Sequence, residues 1–140
     1  MDLDALETSF DLVAPRGDDL MEIFYARLFE AAPAVKPLFA GTDMARQRAM
    51  LLAALVLVRN SLRDLDSIVP ALRKLGARHV AYGAEPGHYP VVGAVLISAM
   101  AEVAGDPWEQ RYADAWGEAF GVLAATMLEG AAEVELRAAA

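Results

Sequence analysis

The sequence predicts an all-α fold. Alanine, the best helix former, occurs 29 times in the 140 residues, whereas threonine, which favours strands, occurs three times. No segment alternates apolar and polar residues over the length of a strand. Breaks in the helical pattern, most of them containing proline or glycine, divide the chain into long pieces. They fall at residues 15–17, 33, 41–42, 63–66, 83–87 and 105–107.

The first two helices are predicted over residues 4–13 and 18–32. The second begins at Asp18 and Asp19, whose carboxylates suit the positive end of a helix, and it ends before Pro33. A short helix is expected to follow over residues 36–39.

The third long helix is predicted over residues 43–62, with Thr42 or Asp43 as its N-cap. Residues 49–58 are apolar on every side, which is typical of a helix buried between neighbours.

The fourth helix is predicted over residues 68–82. Leu72, Leu75, His79 and Tyr82 share one face of it at helical spacing, so His79 is expected to point inward.

The last two helices are predicted over residues 87–104 and 107–129, the second opened by Asp106 and Pro107. These helices are too many and too unequal in length for a simple four-helix bundle. Because no segment has the composition of a linker, residues 1–140 are expected to form one domain.

Composition excludes several classes of protein. Hydrophobic residues make up 56% of the chain, which is enough for a core and too many for a disordered protein. The net charge of −8 disfavours binding to nucleic acid or to an anionic membrane. With no cysteine, disulfides and thiolate chemistry are excluded. The N-terminus does not look like a signal peptide and no apolar stretch is long enough to span a membrane, so a soluble cytoplasmic protein is expected.

His79 is the first candidate for chemistry. On the residues alone, a core histidine bonded to a carbonyl or to Tyr89 is favoured over a metal or cofactor ligand. His88 lies nine residues later in a turn, and the absence of an HExxH motif argues against a zinc hydrolase. Three basic residues flank His79 and form either a solvated face or a rim that holds anionic groups: Arg73, Lys74 and Arg78.

Three blocks of sequence carry a family resemblance. They are residues 24–29 (FYARLF) continuing to 35–39 (VKPLF), residues 75–79 (LGARH) with 88–93 (HYPVVG), and residues 115–121 (AWGEAFG). The chain resembles the globins over almost its whole length, specifically single-domain bacterial haemoglobins and the globin domains of flavohaemoglobins. The resemblance implies the three-over-three helical sandwich of that fold around a haem b pocket.

The resemblance also implies roles for residues on the proximal side of the haem. His79 corresponds to the proximal histidine that binds the iron, and its other ring nitrogen needs an acceptor, expected near the Leu75 carbonyl. Phe39 corresponds to the phenylalanine stacked on the porphyrin, and Tyr89 and Val92 also line the cofactor.

On the distal side, Tyr25 and Gln47 correspond to the ligand-binding pair and Leu51 to the apolar wall. Without the resemblance, Tyr25 would be interpreted as a core tyrosine and Gln47 as a surface residue.

Two departures from flavohaemoglobins follow. Where their proximal glutamate would fall, this chain has Gly130, Ala131 and Ala132, and Glu129 and Glu133 lie close by but on different helical faces. We therefore expect a weak push of electrons onto the iron. The sequence ends at Ala140, so flavin and nicotinamide chemistry is expected from a separate reductase.

The resemblance implies reversible binding of dioxygen, with nitric oxide and carbon monoxide as further ligands. Dioxygenation of nitric oxide with a reductase in trans is a second expectation. Two alternatives stay open, a haem-free signalling or interaction module and a haem-based gas sensor. Monomer and homodimer are both compatible with the sequence.

Overall fold

Six α-helices make up most of residues 1–139, the part of the chain that the computed structural model describes. They are α1 (Leu3–Val13), α2 (Gly17–Ala31), α3 (Met44–Asn60), α4 (Val69–Ala81), α5 (His88–Ala104) and α6 (Gln110–Ala139). Three short 3₁₀ helices connect them, at Ala14–Arg16, Pro33–Phe39 and Leu65–Ile68. Within the described residues there is no strand, and the predicted all-α class is confirmed.

Helix ends follow the capping signals in the sequence. The Asp2 carboxylate accepts a hydrogen bond from the Ala5 amide at the start of α1. Asp43 does the same for the amides of Ala45 and Arg46 at the start of α3. Gly105 ends α5 with a φ of 67°, a conformation that glycine adopts without steric cost.

The predicted bounds of α6 are wrong at both ends. The helix begins at Gln110 and not at Pro107, because the chain first forms a turn in which the Trp108 amide donates to the Gly105 carbonyl. It continues ten residues past Glu129, to Ala139. Residues 131–139 consist mainly of alanine, glutamate, leucine and arginine, all strong helix formers, and contain no breaker.

The core lies where α6 and α5 pack against α1, α2 and α4. Trp116 is fully buried, and its indole Nε1 donates to the Ser9 hydroxyl at 2.8 Å. Ser9 in turn donates to the Ala5 carbonyl at 2.6 Å. This relay satisfies the polar atoms of both side chains inside an apolar core, as burial requires.

Helices α4 and α6 pack closely through two glycines. A Cβ added to Gly76 would collide with the backbone carbonyl of Met127, and one added to Gly130 would collide with that of Arg73. The Arg73 guanidinium also binds the carboxylates of Glu129 and Glu133 on α6. Backbone contact and ion pairs therefore hold α4 firmly against α6.

Helix α3 is not buried on all sides, and that prediction is wrong. Leu55 and Val58 are buried, but Val56 and Leu57 are exposed and Met50 is 55% exposed. The reason is that α3 packs against α1 and α2 on one side only, and α4 is not among the helices that it contacts extensively. We use the name cleft for the region that α3 and α4 border without extensive contact between them, beside the 3₁₀ helix Pro33–Phe39.

None of the helices in residues 1–139 combines the length and the apolar character that a membrane crossing demands.

Candidate functional site

A tyrosine–glutamine pair lies on the α3 side of the cleft. Tyr25 of α2 is 5% exposed, and its hydroxyl oxygen accepts a hydrogen bond from Nε2 of Gln47 at 3.1 Å. Gln47 stands in the first turn of α3 and is half-buried. Because the glutamine amide donates to the phenol oxygen, the hydroxyl proton of Tyr25 is left to donate to another group.

Tyr25 stays protonated at neutral pH. Burial raises the pKa of its phenol above the ordinary value, and the hydrogen bond from Gln47 and the charge of Arg48 only partly oppose this. The side chain is therefore a hydrogen-bond donor under all physiological conditions.

Aromatic contacts fix the orientation of the Tyr25 ring. Phe24 and Phe39 meet it edge-on, with ring centroids 4.8 and 5.8 Å away, and Phe29 lies 6.1 Å away. Phe39 is half-buried at the end of the 3₁₀ helix. The 3₁₀ helix thus brings Phe39 beside the tyrosine–glutamine pair.

His79 lies on the other side of the cleft, near the C-terminal end of α4. Its Nδ1 is 2.7 Å from the Leu75 carbonyl oxygen, as the sequence analysis expected. A carbonyl can only accept, so Nδ1 carries a proton, and Nε2 is the nitrogen that has the unshared electron pair when the ring is neutral. This is the tautomer that a metal-binding imidazole needs, with its orientation set by the helix itself.

Two tyrosines flank His79. The centroid of the Tyr82 ring lies 5.5 Å from that of His79, and the centroid of the Tyr89 ring lies 6.5 Å away. Tyr89, in the first turn of α5, is half-buried, and burial raises the pKa of its phenol. Tyr82 is 56% exposed, so the prediction that it shares a buried face with Leu72 is wrong, because α4 ends at Ala81 and Tyr82 follows it as the cap.

The remaining candidates are Leu51 on α3 and Val92 on α5, both half-buried and packed against the core. The structure therefore joins Tyr25 with Gln47 and Phe39, and His79 with Tyr89. The two groups belong to elements on opposite sides of the cleft. His88, the other histidine, accepts a hydrogen bond from the Glu85 amide in the turn before α5.

Sequence reasoning missed Glu135. It lines a cavity of about 210 Å³ together with Tyr89 and with residues of α4, α6 and the loop after α4. Glu129 and Glu133, expected on different helical faces, both bind Arg73. The signal for Glu135 was hidden because α6 was predicted to end before it.

Family comparison gives the class of protein. The globin family model matches residues 22–127, a range that contains both the tyrosine–glutamine pair and His79 but not Glu135. The chain belongs to the globin family.

Among the curated proteins to which the chain is similar are flavohemoproteins. One from Bacillus thuringiensis is 32% identical over 139 residues, which cover 98% of this chain and 34% of the relative. One from Rhodopirellula baltica is 34% identical over 115 residues, covering 81% of this chain and 28% of the relative. The chain thus spans about a third of the length of the curated relatives it matches.

Solved structures show the same fold. A bacterial globin from Campylobacter jejuni superposes with a TM-score of 0.82 at 24% identity, covering 95% of this chain and 96% of that one. An engineered carbene transferase, derived from a candidate nitric oxide dioxygenase of Rhodothermus marinus, gives 0.88 at 25% identity, covering 99% and 96%. The expected globin fold and the likeness to flavohaemoglobin globin domains are confirmed.

Globin membership implies haem, and the cleft fits that cofactor. It offers one neutral imidazole nitrogen, Nε2 of His79, to a metal. Large apolar side chains stand exposed on the elements that border it, with Leu38 at 40% beside Met50 and Tyr82. Leu38 also approaches Gly83, which joins the 3₁₀ helix to the end of α4. A flat apolar group with a central metal would cover these side chains and use the free nitrogen.

Proposed function

We propose that residues 1–140 act as a single globin domain that holds haem b in the cleft through Nε2 of His79 and reversibly binds dioxygen there. The observation that carries the proposal is the hydrogen bond from Nδ1 of His79 to the Leu75 carbonyl, which leaves Nε2 free for a metal. When bound, ferrous haem would supply an iron atom that can bind a small diatomic gas.

The side chains around the cleft have distinct tasks in this proposal. Phe39 and Val92 pack against the porphyrin, and Leu51 forms an apolar wall that excludes water. Tyr25 would donate a hydrogen bond from its hydroxyl group to dioxygen, while Gln47 holds the phenol oxygen in place. Nitric oxide and carbon monoxide would enter the same site, with weaker dependence on this hydrogen bond because they accumulate less negative charge.

Replacing Tyr25 tests the distal half of the proposal. A hydrogen bond to a charged partner is worth about 1.5–3 kcal/mol, and about 1.4 kcal/mol corresponds to a factor of ten. Tyr25→Phe is therefore expected to release dioxygen roughly tenfold to a hundredfold faster in stopped-flow traces. The matched control is Tyr112→Phe, a buried tyrosine of α6. Unchanged release in Tyr25→Phe, or an equal change in the control, would contradict the role.

Replacing His79 tests the proximal half. His79→Gly is expected to lose the visible haem spectrum on purification and to regain it when imidazole is added, because imidazole can occupy the vacated site. His88→Gly is the control, since it removes the other histidine. Retention of haem by His79→Gly without imidazole would refute ligation at this position. Wild-type protein that stays colourless after haem supplementation would favour a haem-free interaction module.

A second function is favoured by the names of the relatives, flavohemoprotein and nitric oxide dioxygenase. In that reaction nitric oxide, dioxygen and one electron combine to nitrate. Tyr25 would hold dioxygen in place for the attack, and a separate reductase would supply the electron. The test is nitrate formation from nitric oxide in aerobic solution with a generic flavin reductase, compared between wild type and Tyr25→Phe. Nitrate at the rate of the protein-free control would exclude this activity.

A further inference from the structure

Charge is unevenly distributed between the elements that border the cleft and the rest of the chain. The 3₁₀ helix Pro33–Phe39, α3 and α4 contain none of the 20 acidic residues and seven of the 12 basic ones. The seven are Lys36, Arg46, Arg48, Arg59, Arg73, Lys74 and Arg78. A protein whose net charge is −8 therefore has one strongly basic region.

Most of these basic residues are not neutralised within the structure. Arg59 binds Glu7 and Asp11, and Arg73 binds Glu129 and Glu133. The other five make no ion pair in the part of the chain that the structure describes. We call these five the basic rim: Lys36, Arg46, Arg48, Lys74 and Arg78. Outside the bordering elements, four of the five basic residues do have an acidic partner.

The basic rim lies next to the site residues. Lys36 shares the 3₁₀ helix with Phe39, and Arg46 and Arg48 stand on either side of Gln47. Arg48 is close enough to Tyr25 for its charge to lower the pKa of that phenol. On the far side of the cleft, Arg78 immediately precedes His79 and Lys74 lies one helical turn earlier. The rim residues thus belong to elements on both sides of the cleft.

Two carboxylates next to the rim in sequence, those of Asp43 and Glu85, offset part of this charge. The Asp43 carboxylate is engaged by the first amides of α3, whose helix end adds further positive potential beside Arg46. Glu85, in the loop after α4, faces His88 at 3.8 Å. Haem would bring two propionates, which is fewer charges than the rim provides. Asp43, Glu85 and the two propionates would together carry four negative charges, one fewer than the five cations of the rim.

The elements that carry the basic rim also expose apolar side chains that are suited to protein contact. Leu38, Met50 and Tyr82 are exposed on the same three elements or directly after them. An apolar centre with charges around it is the usual composition of a transient protein interface. An extended polyanion such as nucleic acid or a membrane would also meet the remainder of the chain, which has 15 more acidic than basic residues.

We propose that the basic rim is the docking surface for an acidic electron-donor protein. The inference rests on the proposed function, because the purpose of docking is to keep the haem iron ferrous. In each encounter, one electron leaves a reduced flavin or iron–sulfur centre of the partner and converts ferric iron to ferrous iron. Arg46, Lys74 and their neighbours steer the partner to the cleft, where the path for the electron is shortest.

Binding can be measured whether or not haem is present. The probe is a plant-type ferredoxin, a small acidic electron donor, titrated into the chain by calorimetry at about 20 mM and about 200 mM salt. The double variant Arg46→Glu, Lys74→Glu is expected to weaken binding at low salt by about tenfold or more. The control is Arg137→Glu, an exposed cation of α6 that is not one of the five rim residues and also has no ion pair in residues 1–139. Equal binding by the two variants, or binding that ignores salt, would overturn the proposal.

A second readout follows the electron. The haem-loaded protein is oxidised to the ferric state and mixed with reduced ferredoxin, and the rate is compared with that for a small donor, photoreduced deazariboflavin. The rim variant is expected to slow reduction of the protein by ferredoxin. Reduction by deazariboflavin and the binding of gas should not change. Loss of haem from wild type would reject the proposed function, while the calorimetric result would still decide on the surface. Binding to anionic vesicles with none to ferredoxin would overturn the choice of partner.

Discussion

Two glycines set the distance between α4 and α6. Gly76 and Gly130 place each helix against a backbone carbonyl of the other, at Met127 and Arg73. Backbone cannot move aside as a flexible side chain can, so even a methyl group forces the helices apart. Since α4 carries His79, the two glycines also fix the position of the candidate iron ligand.

We expect Gly76→Ala to destabilise the protein by about 1–3 kcal/mol or more, the usual cost of overpacking. Gly121→Ala on α6 is the control, because its added methyl meets no atom within 4 Å. This control should be stabilising by about 0.5–1 kcal/mol, since alanine favours helix. Urea unfolding monitored by circular dichroism measures both. A neutral Gly76→Ala would show that the helices can separate without cost.

The tyrosine–glutamine pair shows which features of a site can be predicted from the sequence alone. Helical periodicity predicts that Tyr25 is buried, but it interprets Gln47 as a surface residue. Their hydrogen bond joins residues 22 positions apart and depends on how α2 crosses α3. Sequence spacing within one helix contains no information on that crossing, so only the family resemblance predicted the pair. His79 is different, because its bond to Leu75 lies within one helical turn.

Ion pairs tie α1 to the end of α3. Arg59 binds Asp11 at 2.9 Å, and Arg63 binds Glu7 at 2.7 Å. The hydrogen bond from Arg63 lowers the pKa of Glu7, and the one from Arg59 lowers the pKa of Asp11. Both carboxylates are held in the charged form by folding. These contacts are exposed, so their contribution depends on pH and salt.

Because these pKa values are lower in the folded state, the stabilisation is present above the ordinary carboxylate pKa and is lost as pH falls through the folded value. Glu7→Gln should therefore be less stable than wild type at neutral pH. The difference in stability between wild type and Glu7→Gln should narrow below the ordinary glutamate pKa of 4.5. Urea midpoints at about pH 7 and about pH 3.5 measure it, with Glu22→Gln as a control on α2. A gap that is independent of pH would show that the ion pair does not contribute.

The bounds and the burial of some helices were predicted correctly and those of others were not, for physical reasons. Capping residues such as Asp43 mark where a helix begins, and α1 to α5 lie within two residues of their predicted ends. The length of α6 was wrong because Gly130, directly after Glu129, does not end the helix, and the strong helix formers of residues 131–139 extend it. The burial of α3 was wrong because an apolar helix can face a ligand cleft as well as other helices. Composition does not distinguish these two environments.

At the scale of the molecule, the cleft is a surface that the protein's own helices leave without extensive contact. Leu38, Met50 and Tyr82 are exposed on the bordering elements or directly after them, and α3 and α4 make no extensive contact within residues 1–139. The fold class and the family could be predicted from the sequence, since helix breaks and three sequence blocks suffice for both. The width of the cleft could not be predicted from the sequence, because it depends on how α2 holds α3 and how α6 holds α4.

Haem should therefore stabilise the whole fold. A ligand that binds only the native state at about a thousandfold above its Kd adds about 4 kcal/mol, which for a chain of this size raises Tm by roughly 10 °C or more. Thermal melts of haem-free and haem-supplemented protein measure the shift. His79→Gly should show a much smaller rise, restored in part by imidazole. An identical Tm with and without haem would mean that the cofactor is not bound in the core of the fold.

The absence of carboxylates from α3, α4 and the 3₁₀ helix Pro33–Phe39 makes the molecule an electric dipole. On a positively charged resin or electrode, the acidic remainder of the chain would adsorb and the cleft would point away from the surface. Immobilised protein should thus keep the cleft open to solvent without any engineered tag. A negatively charged surface would orient the molecule the other way and obstruct the entrance.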